Sequence, residues 1–441
     1  MARRRTRIPL NVYINSRLVG KLRRQTSGAI DFQYDLDWLA WEKAFPVSLS
    51  LPMREDRYTG SAVISVFDNL LPDSDAIRRR LAERVHADGS DAYSLLAKIG
   101  RDCVGALQLL PDGVEPGPAG TVDGRPVDEE YISRKISDLG ATPLGIDENE
   151  DFRISLAGAQ EKTALLFWNN KWHVPHGTTP TTHILKPQIG VLPVGIDLTR
   201  SVENEYLCLK LTEAFGLPSA HVAIADFKDK PVLVVERFDR SWTADKRLLR
   251  LPQEDCCQSL SVPPTRKYES DGGPGIVEIL DLLKASDEPE LDRRQFLKAQ
   301  ILFWLLGATD GHAKNFSIFL RPGGRFRLTP LYDVMSTQPA ADAGQFRRNQ
   351  MKFALAVGAN RHYVVNEILP RHFVQTAAKS GLSASFVQTT FDEILEVEMA
   401  AVEKVLNKLP AGYPEGLATS IVNGLRARAR LMEQSSNSDA H

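Results

Sequence analysis

A β-hairpin signal between Asn315 and Asp333 constrains the fold of this chain more than any other feature. Two short arms rich in aromatic and aliphatic residues, 316–320 and 325–328, flank a Pro-Gly-Gly sequence that favours a tight turn. Because a hairpin brings its two ends together, we expect Asp333 to return close to Asn315. The pair would offer one amide oxygen and one carboxylate, which are hard ligands suited to Mg²⁺.

Asp310 lies five residues before Asn315 and is a candidate general base. Protein kinases place a catalytic aspartate, an asparagine five residues later and a metal-binding aspartate after a hairpin in this order. The pattern therefore predicts an ATP-dependent kinase. The alternative is that Asp310 and Gly311 form an ordinary turn and that Asn315 lies at a strand edge, since Asp, Asn and Gly favour such places and so short a pattern recurs by chance.

A candidate phosphate-binding lysine lies upstream. Residues 182–186 are predicted as a short strand that ends in Lys186, and a lysine there could bind phosphate as a compact charge. A helix is predicted over 201–215, with Glu203 and Glu205 in its first two turns. Either glutamate could orient Lys186, and the sequence does not distinguish between them. The alternative for Lys186 is an exposed lysine at a strand end, the more frequent environment of this residue type.

Two further segments have features of a nucleotide cleft. A buried strand over 232–235 runs into charged residues, and 236–238 is the candidate hinge whose backbone would pair with adenine. An ordinary strand end with a surface ion pair is the alternative. The segment 153–162 precedes a predicted hairpin over 163–174, and its small residues 157–159 would let backbone amides approach phosphates. An ordinary loop is the alternative there.

Composition indicates an ordinary globular protein of 441 residues, long enough for two or three domains. With 43% hydrophobic residues, 25% charged residues and a net charge of -2, the chain gives no overall signal for nucleic acid or membrane. No segment reaches transmembrane length. The cysteines have neither metal-ligand nor redox spacing, which favours a reducing cytoplasm. They are Cys103, Cys208, Cys256 and Cys257.

The order of the predicted elements indicates an α+β fold of the protein-kinase type, with two lobes and an additional N-terminal subdomain. An α+β subdomain is predicted over 1–125, the kinase N-lobe with its hinge over 126–240, and a mostly helical C-lobe over 241–432. Beyond 253 we expect no strands apart from the hairpin. The tail 433–441 is predicted to be disordered.

Several longer stretches resemble the HipA family of bacterial serine/threonine kinase toxins. They are spread over more than half of the chain and touch every predicted domain. The matching stretches are 67–74, 98–102, 153–163, 178–186, 235–240, 251–255, 267–275 and 308–317. Because several of these stretches are long, their joint occurrence is highly specific.

The resemblance implies a role for each matching residue. Asp310 would be the catalytic base, Asn315 and Asp333 the Mg²⁺ ligands, and Lys186 the phosphate-binding lysine. The other ATP contacts that it implies are Ala157, Gly158, Ala159, Gln160, Glu161, Lys162, Glu236, Arg237, Phe238, His312, Ala313, Lys314 and Tyr332. Where eukaryotic kinases have a catalytic-loop lysine this chain has His312, and Lys314 could supply the positive charge instead.

The resemblance also implies that Ser155 is autophosphorylated. A phosphate dianion beside a triphosphate-binding loop would repel the nucleotide, push the loop into solvent and silence the enzyme. The alternative is that the Ser155 hydroxyl faces the core between Ile154 and Leu156.

The partners that the resemblance implies are a protein substrate and an antitoxin. The substrate would be glutamyl-tRNA synthetase, whose phosphorylation halts translation and arrests growth. A HipB-like antitoxin dimer would neutralise the kinase and carry it to operator DNA. A direct DNA contact would fall near 378–381, where Lys379 is the single cation.

Two other functions stay open at this point. One is a nucleotide-binding corepressor with little kinase activity. The other is a Mg²⁺-dependent phosphohydrolase that uses Asp310 and Asp333. The kinase is favoured because all the parts that would bind ATP occur in the right order along the chain.

Overall fold

An antiparallel sheet with helices packed on it forms the N-terminal subdomain. The computed structural model of the chain describes residues 8–147 and 151–438. The elements of this subdomain are β1 (Leu10–Ile14), β2 (Arg17–Arg24), β3 (Ile30–Tyr34), α1 (Leu36–Leu39), β4 (Tyr58–Thr59), α2 (Ser61–Asp68), α3 (Asp75–Arg84), α4 (Ala92–Ile99) and β5 (Leu107–Pro111). The strand order is β4-β3-β2-β1-β5. Asn15 and Ser16 have φ of 46° and 66°, the left-handed values that the two-residue turn between β1 and β2 requires.

A second, six-stranded sheet forms the N-lobe. Its elements are β6 (Gly124–Val127), α5 (Glu129–Ser137), β7 (Thr163–Trp168), β8 (Lys171–Pro175), β9 (His183–Pro187), β10 (Gly190–Val191), β11 (Asp197–Leu198), α6 (Ser201–Ala214), β12 (Val222–Asp226) and β13 (Pro231–Glu236). The strand order is β12-β13-β9-β7-β8-β6, while β10 and β11 pair with each other. Lys186 pairs with Leu233 of β13, so the candidate lysine and the candidate hinge lie on neighbouring strands.

Helices dominate the C-lobe. Its elements are β14 (Arg240–Trp242), β15 (Leu248–Arg250), β16 (Gln253–Asp255), α7 (Cys256–Ser259), α8 (Ile276–Leu282), α9 (Pro289–Leu306), β17 (Ser317–Arg321), β18 (Arg325–Leu328), α10 (Gln338–Asp342), β19 (Lys352–Val357), β20 (His362–Val364), α11 (Pro370–Lys379), α12 (Ala384–Leu406) and α13 (Glu415–Ser438). The expected hairpin is present as β17 and β18, paired antiparallel. Gly323 and Gly324 have φ of 78° and 72°, which explains why the turn uses glycine.

Helix α9 packs under residues 310–316, which include the candidate base and which we call the catalytic segment. Pro289 opens it, and Gly307, with a left-handed φ of 66°, ends it. The rings of Phe296 and Phe303 lie 4.9 and 5.7 Å from that of Phe316, and all three side chains are fully buried. Burying a phenylalanine contributes about 1.5–3 kcal/mol, so the residue that follows Asn315 is firmly held.

A buried charge network joins the N-terminal subdomain to the N-lobe and to strands β14 and β15 of the C-lobe. The Asp102 carboxylate accepts hydrogen bonds at 2.9 Å from Arg240 and Arg250 and one at 3.4 Å from Arg237. Asp239 adds a second carboxylate, 2.7 Å from Arg237. Burial on its own would raise the pKa of Asp102, but the three guanidinium groups hold it well below the ordinary range. The network therefore holds three cations and two anions away from water.

Several predictions about the elements differ from the structure. Strand β16 pairs with β17, and β19 pairs with β20, so strands other than the hairpin do occur beyond 253. Helix α13 continues to Ser438, so the structure describes a helix over 433–438, where the sequence predicts disorder. Residues 439–441 lie outside the described residues. The predicted domain boundary at 125 falls inside β6. Within the described ranges, no helix is long and apolar enough to cross a membrane.

Candidate active site

A cavity of about 580 Å³ is lined by all three parts of the chain. Its volume lies within the range of sites that bind small molecules and cofactors. The lining residues that the sequence singled out are Ala157, Gly158, Ala159, Gln160, Glu161, Lys162, Lys186, Glu205, Glu236, Arg237, Phe238, Asp310, His312, Lys314, Asn315, Tyr332 and Asp333. The N-terminal subdomain adds Asn69, Leu70 and Asp73.

Two side chains hold Asp310 in place. The Asn315 amide donates a 2.8 Å hydrogen bond to the backbone carbonyl of Asp310, and the Tyr268 hydroxyl donates one of 2.6 Å to its carboxylate. Asp310 is exposed to solvent, yet partial desolvation by the neighbouring protein raises the pKa of its carboxylate, and the Tyr268 hydrogen bond opposes the rise. Gly311 packs against Phe303, where a Cβ atom would lie 2.5 Å from the ring.

Lys186 links Glu205 of helix α6 to Asp333. Its ammonium lies 2.7 Å from the Glu205 carboxylate and 2.8 Å from that of Asp333. The sequence left Glu203 and Glu205 as alternatives, and the structure selects Glu205, since Glu203 binds Gln188 and Arg200 instead. Burial disfavours the charge on Lys186, but the two carboxylates raise its pKa above the usual value. The lysine is therefore a fixed cation at the cavity wall.

Asn315 and Asp333 fit the role of Mg²⁺ ligands. Asn315 uses its amide nitrogen to bind Asp310, which leaves its oxygen available. The Asp333 side chain is 39% exposed and has a left-handed φ of 59°, a strained conformation that functional sites often retain. Burial alone would raise the pKa of Asp333, but Lys186 and Lys162 lower it well below the ordinary range, so the carboxylate is ionised. Both residues border the cavity, where they would hold Mg²⁺ close to the phosphates of a bound nucleotide.

The covering loop, 157–162, is held by its own lysine. The Lys162 ammonium donates a 2.8 Å hydrogen bond to the carbonyl of Ala157. Gly158 has a φ of 103°, and a Cβ atom there would lie 2.5 Å from the same ammonium. The positive φ therefore favours glycine at 158.

A short stretch of the N-terminal subdomain, which we call the 69–73 segment, contacts both the covering loop and the catalytic segment. The Asp73 carboxylate lies 2.5 Å from the ammonium of Lys314 and 2.7 Å from that of Lys267. Its backbone N–H donates to the carbonyl of Gly158 at 3.1 Å. The Ser155 hydroxyl, which is fully buried, donates to the carbonyl of Leu70 at 2.7 Å. This segment is thus part of the site.

Comparisons with known proteins show which family the chain resembles. The model of the HipA-like C-terminal domain matches residues 154–402, and that of the HipA N-terminal domain matches 10–110. Y4mE of Sinorhizobium fredii, whose name describes a proposed kinase, is 33% identical over 431 residues, which cover 97% of this chain and 99% of that protein.

The chain belongs to the HipA family. The serine/threonine-protein kinase toxin HipA of Shewanella oneidensis is 25% identical over 416 residues, 91% of this chain and 90% of that protein. The solved complex of Shewanella oneidensis HipA with HipB and operator DNA matches with a TM-score of 0.80 at 24% identity, covering 96% of each chain. This match confirms the two-lobed α+β fold that the resemblance to the HipA family implied.

Not every residue implied by the family borders the cavity. Ala313 is fully buried and donates its N–H to the carbonyl of Lys267, and Ser155 lies in the core. The Arg237 guanidinium points into the network around Asp102, and the Arg237 N–H donates to the carbonyl of Thr182 at 2.9 Å, so neither group is free to contact a nucleotide. Lys379 donates to the carbonyls of Gly358 and Ala359 at 3.2 and 3.3 Å.

Sequence reasoning missed Asp73, Lys267 and Tyr268 as parts of the site. All three fall inside stretches that resemble the HipA family, but no local pattern relates them to Asp310. The free charge expected of Lys314 is likewise absent, because Asp73 neutralises it. Burial would raise the pKa of Asp73, but Lys314 and Lys267 bring it down to about 2.

Replacing Asp73 by asparagine is expected to slow phosphoryl transfer by about tenfold or more, because a hydrogen bond to a charged group is worth about 1.5–3 kcal/mol. Without the carboxylate, Lys267 and Lys314 repel each other beside Asp310. Asp68→Asn is the matched control, since Asp68 pairs with Arg78 at 2.6 Å in the same subdomain and does not border the cavity. Equal rates for the two variants would contradict a role of Asp73 in the site.

The lowered pKa of Lys162 predicts that ATP binding depends on pH. Burial and the neighbouring charge of Lys186 lower the pKa of Lys162 to about 8. An ATP anion binds the charged form better, so affinity is full below pH 8 and falls as the pH rises through 8 to 9, by up to about tenfold per pH unit. Titration calorimetry at pH 7 and 9 measures this. Lys162→Met should bind ATP more weakly at pH 7 and show little change between the two; an unchanged pH dependence in this variant would exclude Lys162.

Proposed function

We propose that the protein is a kinase that transfers the γ-phosphate of ATP to serine or threonine hydroxyls of proteins. The observation that carries this proposal is that Asp310, Asn315 and Asp333 border one cavity together with Lys186, which Glu205 orients. A hydrolase that uses only two aspartates would need neither this ion pair nor the hinge.

The geometry supports the following chemistry. The acceptor hydroxyl gives its proton to Asp310 while its oxygen forms a bond to the γ-phosphorus. The bond from that phosphorus to the bridging oxygen breaks, and ADP leaves with the electron pair. Lys186 and Lys162 stabilise the negative charge on the phosphates. Mg²⁺, when held by Asn315 and Asp333, would neutralise the phosphate oxygens further.

We further propose that Ser155 is the autophosphorylation site. Its hydroxyl is bound to the Leu70 carbonyl in a fully buried position, where a phosphate dianion could not be accommodated without water or cations. Phosphorylation would therefore release 155–158 from the 69–73 segment. The covering loop would leave the nucleotide site, and ATP binding would weaken.

The biological role proposed here rests on the family. By analogy with the HipA kinase toxin and its complex with HipB and operator DNA, the protein would be the toxin of a toxin–antitoxin pair. Its partner would be a HipB-like antitoxin dimer that contacts the operator, with the kinase as corepressor and with Lys379 as the candidate direct DNA contact. Its protein substrate would be glutamyl-tRNA synthetase. The compartment proposed is the cytoplasm, where ATP and the synthetase are present.

The test is incubation of the purified protein with γ-labelled ATP, Mg²⁺ and glutamyl-tRNA synthetase. We expect label on a serine of the synthetase and on Ser155. Release of free phosphate without labelled protein would instead indicate a phosphohydrolase. ATP binding without transfer or hydrolysis would favour the nucleotide-binding corepressor. Label on the kinase alone would leave the kinase proposal standing and exclude the synthetase as substrate.

A further inference from the structure

Tyr268 lies outside the lining of the nucleotide cavity, yet it makes the shortest hydrogen bond to Asp310. Its hydroxyl donates to one carboxylate oxygen at 2.6 Å, and the described residues supply no other hydrogen bond to that carboxylate. We propose that Tyr268 is a positioning residue for phosphoryl transfer, which fixes the Asp310 carboxylate so that its second oxygen receives the acceptor proton. This inference rests on the proposed kinase function.

The backbone around Tyr268 is rigidly built. The Tyr268 carbonyl accepts hydrogen bonds from the N–H groups of Asp271 and Gly273 at 3.1 and 2.9 Å. Gly273 approaches the neighbouring chain so closely that a Cβ atom there would lie 2.0 Å from the carbonyl oxygen of Arg266. The carbonyl of Lys267 accepts from Ala313, next to the catalytic segment. The turn that carries Tyr268 is therefore tied to the segment that carries Asp310.

The ring of Tyr268 is fixed on two sides. The His312 ring meets it edge-on, with centroids 5.0 Å apart, and the Lys267 ammonium lies 5.4 Å from its centroid. Lys267 is itself held by Asp73 at 2.7 Å. Swinging the ring away would lose both contacts. These contacts indicate that Tyr268 stays beside Asp310 throughout the reaction and does not move away to admit each substrate.

A fixed carboxylate has a kinetic advantage. An aspartate side chain that is not held in place samples orientations in which neither carboxylate oxygen faces the acceptor hydroxyl. The entropy cost of adopting the productive orientation then adds to the barrier in every turnover. The Tyr268 hydrogen bond restricts this rotation before the substrate arrives. Because Tyr268 does not border the cavity where ATP would bind, we expect it to support Asp310 without itself accepting a phosphoryl group.

The test compares Tyr268→Phe with wild type in the full-length protein. The phenylalanine ring keeps the contacts with His312 and Lys267 and loses only the hydroxyl. Two quantities are measured: the rate of label transfer from ATP to the protein itself and to added glutamyl-tRNA synthetase, and the dissociation constant of a fluorescent ATP analogue. The matched control is Tyr363→Phe, since the Tyr363 hydroxyl accepts from Arg361 at 2.8 Å in the C-lobe and does not border the cavity.

We expect Tyr268→Phe to transfer phosphate about 10- to 100-fold more slowly, the range for a lost hydrogen bond to a charged group. The ATP dissociation constant, the KM for ATP and the melting temperature should stay at the wild-type values, a split between kcat and KM that a purely structural role would not produce. Tyr363→Phe should match wild type throughout.

Four results would overturn the inference. Equal rates for Tyr268→Phe and wild type would show that the hydroxyl has no role. A faster variant would mean that the Tyr268 hydroxyl blocks access to Asp310. Label found on Tyr268 would make it an acceptor. If wild type transfers phosphate to neither protein, the kinase proposal itself fails, and the inference fails with it.

Discussion

Replacing Asp310 by asparagine is expected to lower the rate of phosphoryl transfer by about 10²- to 10⁴-fold, the usual contribution of a general base. The amide has the shape of the carboxylate and can still accept the hydrogen bond from Tyr268, but it cannot take the acceptor proton. ATP affinity should be nearly unchanged, because Lys186 and Asp333 are intact. Label transfer and nucleotide binding, measured on the same preparation, separate the two effects.

A control for this prediction is available in the same lobe. Asp281 pairs with Lys284 at 2.6 Å on the surface, with both side chains nearly half exposed, so Asp281→Asn should transfer phosphate at the wild-type rate. Persistent self-labelling of Asp310→Asn would remove Asp310 from the role of base. Loss of nucleotide binding in that variant would mean that Asp310 acts on ATP itself.

The largest effect on stability is expected from Asp102→Asn. Asp102 is fully buried among Arg237, Arg240 and Arg250, and its removal leaves the three guanidinium groups with one carboxylate, that of Asp239. Breaking a buried charge pair in this way costs about 3–5 kcal/mol. The free energy of unfolding, obtained from urea denaturation followed by circular dichroism, should fall by that amount.

The control for stability is Asp245→Asn. Asp245 makes an ion pair of 2.7 Å with Arg247, but both side chains are half exposed or more, so the loss should be small. If Asp102→Asn destabilises the protein no more than Asp245→Asn does, water must reach the buried network around Asp102 and screen the charges of its three arginines. ATP affinity should also fall in Asp102→Asn, since Arg237 belongs to the proposed hinge.

The parts of the site that are close in sequence could be predicted from it. The hairpin that follows Asn315 depends on a Pro-Gly-Gly turn and on alternating apolar residues, and both are local signals. The strand that ends near Lys186 and the helix that carries Glu205 were predicted on the same basis. Periodicity alone could not choose between Glu203 and Glu205, because the choice depends on how α6 packs on the sheet.

The parts that depend on contacts between distant segments could not be predicted. Asp73 reaches Lys314 across 241 residues, and Tyr268 reaches Asp310 from a loop with no regular pattern. A contact of this kind also determines the role of Lys314. The sequence suggests that its ammonium could neutralise the phosphate, but in the structure it pairs with Asp73. A salt bridge between residues this far apart in sequence depends on how the domains pack together, and no periodic sequence pattern indicates it.

The ion pairs of Asp73 also bear on how such proteins diversify. An enzyme that lost its N-terminal subdomain would keep its base, its metal ligands and its lysines, yet it would have two ammonium groups facing each other without a counterion. Descendants with a shortened chain must therefore acquire a replacement acid nearby or give up one lysine. Sequences in which the subdomain is absent should show one of these two compensations.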